Sequence, residues 1–228
     1  MIGVIMQKTL VITDVTRMSG DKVCVAGVDS HGNCVRPIMR GDVRESHLYQ
    51  RGELLVYPRA KVQFDLTAGP ISPPHVEDME FRLDSIASKG ICGDVEWENA
   101  LRHSCFSSVA DIFDRYLVDD RYVLSGQETR LLRTVTGVGI DYVEIDDYFR
   151  RRYRLDFRDA QGDAYLRVPI NDLPFRAYLD VLSNTSGGEM RATRVALRQL
   201  RSSSRVYLAL VSLDPGSEKV TPRPAGPR

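Results

Sequence analysis

VCVAGVDSHGNCVRPI, residues Val23–Ile38, reads as a strand, a tight turn and a second strand. Val23, Val25 and Gly27 alternate with Cys24, Ala26 and Val28, the two-residue period of a strand. Asp29-Ser30-His31-Gly32-Asn33 supplies the turn, because Gly and Asn tolerate positive φ. An echo follows about 130 residues later as LDFRDAQGDAYLRVPI, Leu155–Ile170. Asp29-x-x-Gly32-Asn33 matches Asp159-x-x-Gly162-Asp163. Arg36-Pro37-Ile38 resembles Arg167-Val168-Pro169-Ile170. Two β units on a similar plan are expected.

The segments around these hairpins fit that plan. Lys8–Met18 is a first strand, with Leu10, Ile12 and Val15 apolar. Leu54–Leu66 has strand composition interrupted by Pro58, which gives two short strands or a bulged edge. Three prolines make Pro70–Asp78 an irregular connection. Asp94–Arg102 and Ser107–Leu117 have helical spacing, with Ser107 or Ser108 as an N-cap. Strand composition returns at Thr129–Gly139, Phe149–Arg158, Tyr165–Ile170 and Arg205–Leu213. Helices are predicted over Leu173–Leu182 and Glu189–Leu200. The expected organisation is a first β unit over 8–80, a helical bridge over 81–128, a second β unit over 129–213 and a disordered tail over 214–228. The fold class is mainly β with α insertions (α+β): two OB-like small β-barrels joined by the bridge. A small β-sandwich is the other architecture this pattern allows.

Composition narrows the function classes. The 228 residues include 31 basic and 31 acidic ones, so the formal net charge is zero. That argues against a polybasic arm or an acidic tail. The halves differ: residues 1–125 balance at −4 and residues 126–228 at +4. A polarised surface follows, positive in the second half. Cys24, Cys34, Cys92 and Cys105 are read as free thiols of a cytoplasmic protein, because no secretory signal pattern precedes them. Cys24 and Cys34 sit on the two arms of the opening hairpin, where they could face each other. No apolar run approaches the ~20 residues needed to cross a bilayer as a helix.

Several moderate motifs, taken in order, resemble the dual OB-containing domain family of prokaryotes. They are Val23-Cys24-Val25-Ala26-Gly27-Val28-Asp29 with Val35-Arg36-Pro37, and Pro73-Pro74-His75-Val76-Glu77-Asp78. Tyr153-Arg154-Leu155-Asp156-Phe157-Arg158-Asp159 follows with Asn171-Asp172-Leu173-Pro174-Phe175-Arg176-Ala177-Tyr178, then Arg205-Val206-Tyr207-Leu208-Ala209-Leu210. The resemblance spans residues 8–213 and implies two OB folds and a connection to nucleic acid. Cys34 and Met79 stand where the family carries aromatics, so a stacking function tied to those rings is reduced here.

Four candidate sites stand out. Arg191, Arg194, Arg198 and Arg201 share one face of a helix, followed by Arg205, with no acidic residue between Met190 and Leu213. This is a phosphate-binding face or a solvated helix exterior. Tyr148-Phe149-Arg150-Arg151-Arg152-Tyr153-Arg154 interleaves rings with cations, as a single-strand groove requires. The alternative is that Phe149 and Tyr153 are core and the arginines ordinary exterior, neutralised by Asp146, Asp147 and Asp156. Pro74-His75-x-Glu77-Asp78 places an imidazole beside two carboxylates. It is read as structural in preference to metal-binding or acid–base, with His103-x-Cys105 as the nearest further ligand pair. Arg36-Pro37 aims an arginine into a ligand groove, or pairs it with Asp29 or a neighbouring strand.

No phosphate loop, nucleophile elbow or paired-cysteine zinc motif occurs, so neither a cofactor nor a metal is expected. The leading expectation is a non-enzymatic binder of single-stranded DNA or RNA. A scaffold within a multiprotein complex is the alternative, and a metal-dependent nuclease using Glu77 and Asp78 the third. Elemental analysis of the purified chain is expected to find no stoichiometric transition metal; one metal per chain would overturn the structural reading of His75.

Overall fold

The computed structural model describes residues 4–68, 75–102, 105–113, 117–118, 122–124, 132–146, 152–185, 205–209 and 212–213. The opening segments are β1 (Met6–Arg17), β2 (Val23–Val28) and β3 (Cys34–Ile38). A 3-10 turn over Glu45–Leu48 leads to a small hairpin, β4 (Tyr49–Gln50) and β5 (Glu53–Leu54). Then come β6 (Ala60–Ala68), β7 (Asp78–Phe81) and β8 (Ala87–Ile91). The sheet runs β1-β2-β3-β7-β6, and β6 pairs back onto β1, so five strands close a barrel. All its ladders are antiparallel except β3–β7, which is parallel.

Closure depends on β1, which at twelve residues reaches both neighbours. Ile12 faces Gly27 and Asp14 faces Ala26, so Thr13 is an extra residue in the ladder, a bulge. Before it the inward residues are Leu10 and Ile12; after it the inward residue is Val15. The bulge thus moves the inward face from even to odd positions. Gly27 lies where β1 crowds closest: a Cβ there would stand 2.8 Å from the Val11 carbonyl oxygen. Inside the barrel Leu10, Ile12, Val25, Val62, Phe64 and Leu66 are buried together, with Phe64 meeting Phe81 edge-on at 5.3 Å. Pro58, flagged as an interruption, separates β5 from β6, and β6 is a shared strand and not an edge.

The described residues of 81–128 hold two helices with short strands among them. α1 (Asp94–Arg102) is present, but β8 before it pairs with β6. β9 (Cys105–Phe106) follows, then α2 (Val109–Phe113), with the Ser108 hydroxyl accepting from the Asp111 N–H at 3.0 Å; residues 114–116 of the helix expected to run to Leu117 lie outside the described residues. β10 (Leu117–Val118) and β11 (Tyr122–Leu124) pair with each other. α1 docks on the barrel through Arg59, which pairs with Asp94 and lies 5.6 Å over the Trp97 ring.

The second half contributes β12 (Leu132–Thr136), β13 (Gly139–Asp146), β14 (Arg152–Arg158), β15 (Ala164–Pro169), α3 (Leu173–Thr185), β16 (Arg205–Ala209) and β17 (Ser212–Leu213). The acidic residues Asp141, Glu144 and Asp146 belong to β13. Among the described residues these strands form three three-stranded sheets, β13-β14-β15, β16-β12-β9 and β10-β11-β17, and no second closed barrel. The helix predicted over Glu189–Leu200 and the tail over 214–228 lie outside the described residues. No described helix is long and apolar enough to cross a membrane.

The repeat read from the sequence is visible in the hairpins. β13 carries a bulge at Asp141 as β1 does at Thr13, with Ile140 and Val143 buried where β1 buries Ile12 and Val15. In both turns one buried aspartate organises the chain. The Asp29 Oδ1 accepts from His31 N–H at 2.9 Å and Asn33 N–H at 3.0 Å. The Asp159 Oδ1 accepts from Gln161 N–H at 3.0 Å and Asp163 N–H at 3.1 Å. Gly32 and Gly162 both take positive φ, at 80° and 93°. The outer oxygens differ: Asp29 takes Lys8 at 2.7 Å, and Asp159 takes the Val109 N–H at the start of α2 at 3.2 Å.

Removing either carboxylate strands two or more donors. Asp29→Ala and Asp159→Ala are each expected to lower the unfolding free energy by about 2 kcal/mol, read from urea denaturation. Unchanged midpoints would show that the turns hold without their aspartates.

Candidate functional site

The outer face of β1, β2, β3 and β7 gathers the sequence candidates of the first half. On a strand, side chains one apart point to opposite faces, so Cys24 and Arg36 face outward while Val23, Val25 and Val35 face the core. The parallel register sets Arg36 against Asp78. Arg36 donates to both carboxylate oxygens of Asp78, with Nη2 at 2.7 Å. This decides between the alternatives for Arg36: it pairs with a neighbouring strand, and Asp29 is engaged by Lys8. Burial works against the Arg36 charge, but Asp78 and Cys24 outweigh it and raise its pKa. Pro37 faces inward beside Val25, Phe64 and Phe81.

His75 sits next to this pair. Its carbonyl accepts from the Asp78 N–H at 3.5 Å. Burial, with the Arg36 charge beside it, lowers the imidazole pKa and favours the neutral ring. Glu77 is buried, and its carbonyl accepts from the Arg36 N–H at 2.8 Å. Asp78 is thereby committed to Arg36. Among the described residues no group of three His, Cys, Asp or Glu is arranged to hold a metal ion. Pro74 and His103 lie outside the described residues.

Cys24 belongs to the same cluster, its thiol pushed up by burial. It faces Thr16 across the β1–β2 ladder. Cys34 instead faces Val28, so the two hairpin cysteines are not opposite each other, and all four cysteines are free thiols. The sequence left the residues between the arms uncounted: β2 and β3 pair only near the turn, so the far end of β2 has no β3 partner.

Above this face the second half is joined on. The Arg17 N–H donates to the Asn171 carbonyl at 2.7 Å, and Thr16 bridges Asp172. Asp172 caps α3, accepting from the Phe175 N–H at 2.7 Å. Leu173 packs on the barrel core and Leu179 on the second core. Asp14 points to this seam because the Thr13 bulge turns it outward. Burial pushes its pKa up to about 6, opposed by a hydrogen bond from Thr13 and reinforced by the Asp172 carboxylate. Burial raises Asp172 as well. Neither aspartate was singled out as a site; the Asp-Leu-Pro order at 172–174 was the available N-cap signal.

In the second half Tyr153, Leu155 and Phe157 are core, so Tyr153 is not a free stacking ring. Arg154 donates to the Arg167 carbonyl at 3.3 Å. The carboxylates that meet the arginines here are Asp141, 3.2 Å from Arg158, and Glu144, 2.6 Å from Arg167. They come from β13, which the sequence reading did not place as a strand. Asp156 instead accepts the Arg167 backbone N–H. Arg152 and Arg205 lie on β14 and β16. Tyr148, Phe149, Arg150, Arg151, Arg191, Arg194, Arg198 and Arg201 lie outside the described residues. No family model matches the chain, and no curated protein sequence matches it.

A carboxyl whose pKa is raised on folding stabilises the fold while protonated. That contribution is complete below about pH 3.8 and is lost as pH rises through about 6. Asp14→Asn is therefore expected to be more stable than the parent by about 1–2 kcal/mol near pH 8. No gain is expected near pH 4; equal effects at both pH values would remove Asp14 as the titrating group.

Proposed function

We propose that this chain is a non-catalytic, cytoplasmic nucleic-acid-binding protein built on paired OB folds, acting in a prokaryotic nucleic-acid-processing or defence system. The observation that carries the reading is the five-stranded closure β1-β2-β3-β7-β6, with a parallel β3–β7 contact. It suits the OB plan, a five-stranded Greek-key barrel that takes oligonucleotides on one face and its loops. The shared bulge and aspartate turn support a second unit of the same descent. So does the resemblance to the dual OB-containing family. In this reading Arg150, Arg151, Arg152, Arg154, Arg191, Arg194, Arg198, Arg201 and Arg205 hold phosphates, while Tyr148 and Phe149 stack on bases of a single strand.

A second reading, a scaffold subunit that binds protein and not nucleic acid, is favoured by one observation. Lys8, Lys22, Arg36, Arg44, Arg59, Lys61 and Arg82 of the first half each meet a carboxylate within the 4.0 Å of an ion pair. Cations neutralised by their own chain release few counterions on meeting a phosphate backbone.

Fluorescence anisotropy of the full chain with labelled single-stranded DNA, single-stranded RNA and duplex, at two salt concentrations, separates the readings. Salt-sensitive binding to a single strand is expected. Arg191→Glu/Arg194→Glu/Arg198→Glu, checked for folding by circular dichroism, is expected to reduce the log–log salt slope by about 2. A folded chain that binds none of the three is the scaffold result.

A further inference from the structure

The outer face of β2, β3 and β7 carries the Arg36–Asp78 pair, Cys24 and the seam with α3. An open concavity lies elsewhere, at the end of the barrel where β3 and β7 emerge. These two strands are parallel neighbours, Ile38 beside Glu80, so both chains leave at the same end. They then part. After β3 the chain reverses through Met39–Asp42, with Gly41 at φ 88° and the Asp42 N–H donating to the Met39 carbonyl at 3.3 Å. After β7 it enters the 3-10 turn Leu83–Ser85. Parallel strands whose continuations diverge leave a crevice between them, the same geometry that makes binding sites at switch points of α/β sheets. Here the depression is open to solvent and measures about 520 Å³.

Its lining defines the ligand. Met39 and Leu83 give an apolar floor, and Phe81 also lines the crevice with its side chain buried in the barrel core. Arg40, at the corner of the reversing turn, and the half-buried Glu80 bring a guanidinium and a carboxylate to the same crevice. At the rim Asp84 grips Arg82 through two hydrogen bonds, of 3.1 and 2.6 Å, which holds the guanidinium as a flat plate. Two cations and two carboxylates balance, so the crevice is not built for a phosphate. It suits a flat ring whose edges carry both acceptors and donors. Guanine is the standard base with two adjacent N–H donors, N1 and N2, for a carboxylate, and two adjacent acceptors, O6 and N7, for a guanidinium. Adenine, cytosine and uracil lack the paired donors. Its faces fit an apolar floor and a guanidinium plate.

We propose that this crevice holds a guanine base, from a single strand or from a free guanine nucleotide, with Glu80 accepting from N1 and N2 and Arg40 donating to O6 and N7. The strand as source rests on the nucleic-acid reading; the base specificity does not.

The test begins without phosphate. The full chain is titrated with guanosine, adenosine, cytidine and uridine and followed by amide NMR. Guanosine is expected to shift amides at 39–40 and 80–84 and to bind about tenfold or more tighter than the other three. Glu80→Gln is expected to lose that preference by a similar factor, and so is Arg40→Ala, whose side chain is exposed and whose loss leaves the fold intact. Equal responses to all four nucleosides, or a guanosine response that neither variant changes, would overturn the proposal. The second arm uses labelled oligonucleotides with and without guanine. Guanine-selective binding that Glu80→Gln removes, at unchanged salt slope, identifies a strand as the source. Guanosine binding with no oligonucleotide binding keeps the crevice, assigns it to a free nucleotide and ends the nucleic-acid reading. Oligonucleotide binding without guanine preference keeps the nucleic-acid reading and ends this one.

Discussion

At Thr13 one extra residue enters the β1–β2 ladder, and much of the molecule follows from it. A closed barrel needs strands that coil, and a bulge supplies bend and twist where β1 must serve two neighbours. It also changes which side chains point inward. Without it Val15 would leave the core, and Asp14 would enter it as a carboxyl in an apolar interior. With it, Asp14 and Thr16 face outward to meet the segment that starts α3. The same device stands at Asp141 in β13.

Carboxylates do most of the organising. Asp29 and Asp159 fold their turns, Asp78 fixes Arg36, Asp172 starts α3, and Asp94 and Glu96 hold α1 to the barrel. A chain with zero net charge can spend its charges this way. The consequence for function is direct. A surface whose cations are matched locally attracts polyanions weakly, so the proposed backbone contacts fall to the arginine-rich segments of the second half. In the proposed reading the β3–β7 crevice would add recognition of a base edge, which depends little on net charge.

Parts of the site were legible in residue order and parts were not. The Asp-x-x-Gly turn could be read because its hydrogen bonds span four residues. Ser108 could be read as a cap for the same reason. Arg36 and Asp78 are 42 positions apart, and only the parallel β3–β7 register brings them together. Asp141 and Glu144 as partners of Arg158 and Arg167 required knowing that β13 is a strand. The crevice lined by Arg40 and Glu80 has no linear signature, because it is the gap left where two chains diverge.

Residue order alone established a mainly β chain, its opening hairpin, the repeat of that hairpin and the helices at 94 and 173, because each depends on contacts within a few residues. It did not establish the closure of the barrel, the strands inside the supposed bridge, the partner of Arg36 or the raised pKa of Asp14. Those depend on which distant segments lie side by side. Strand pairing and burial are properties of the packed chain, and a period of two residues names the buried face without naming what lies against it.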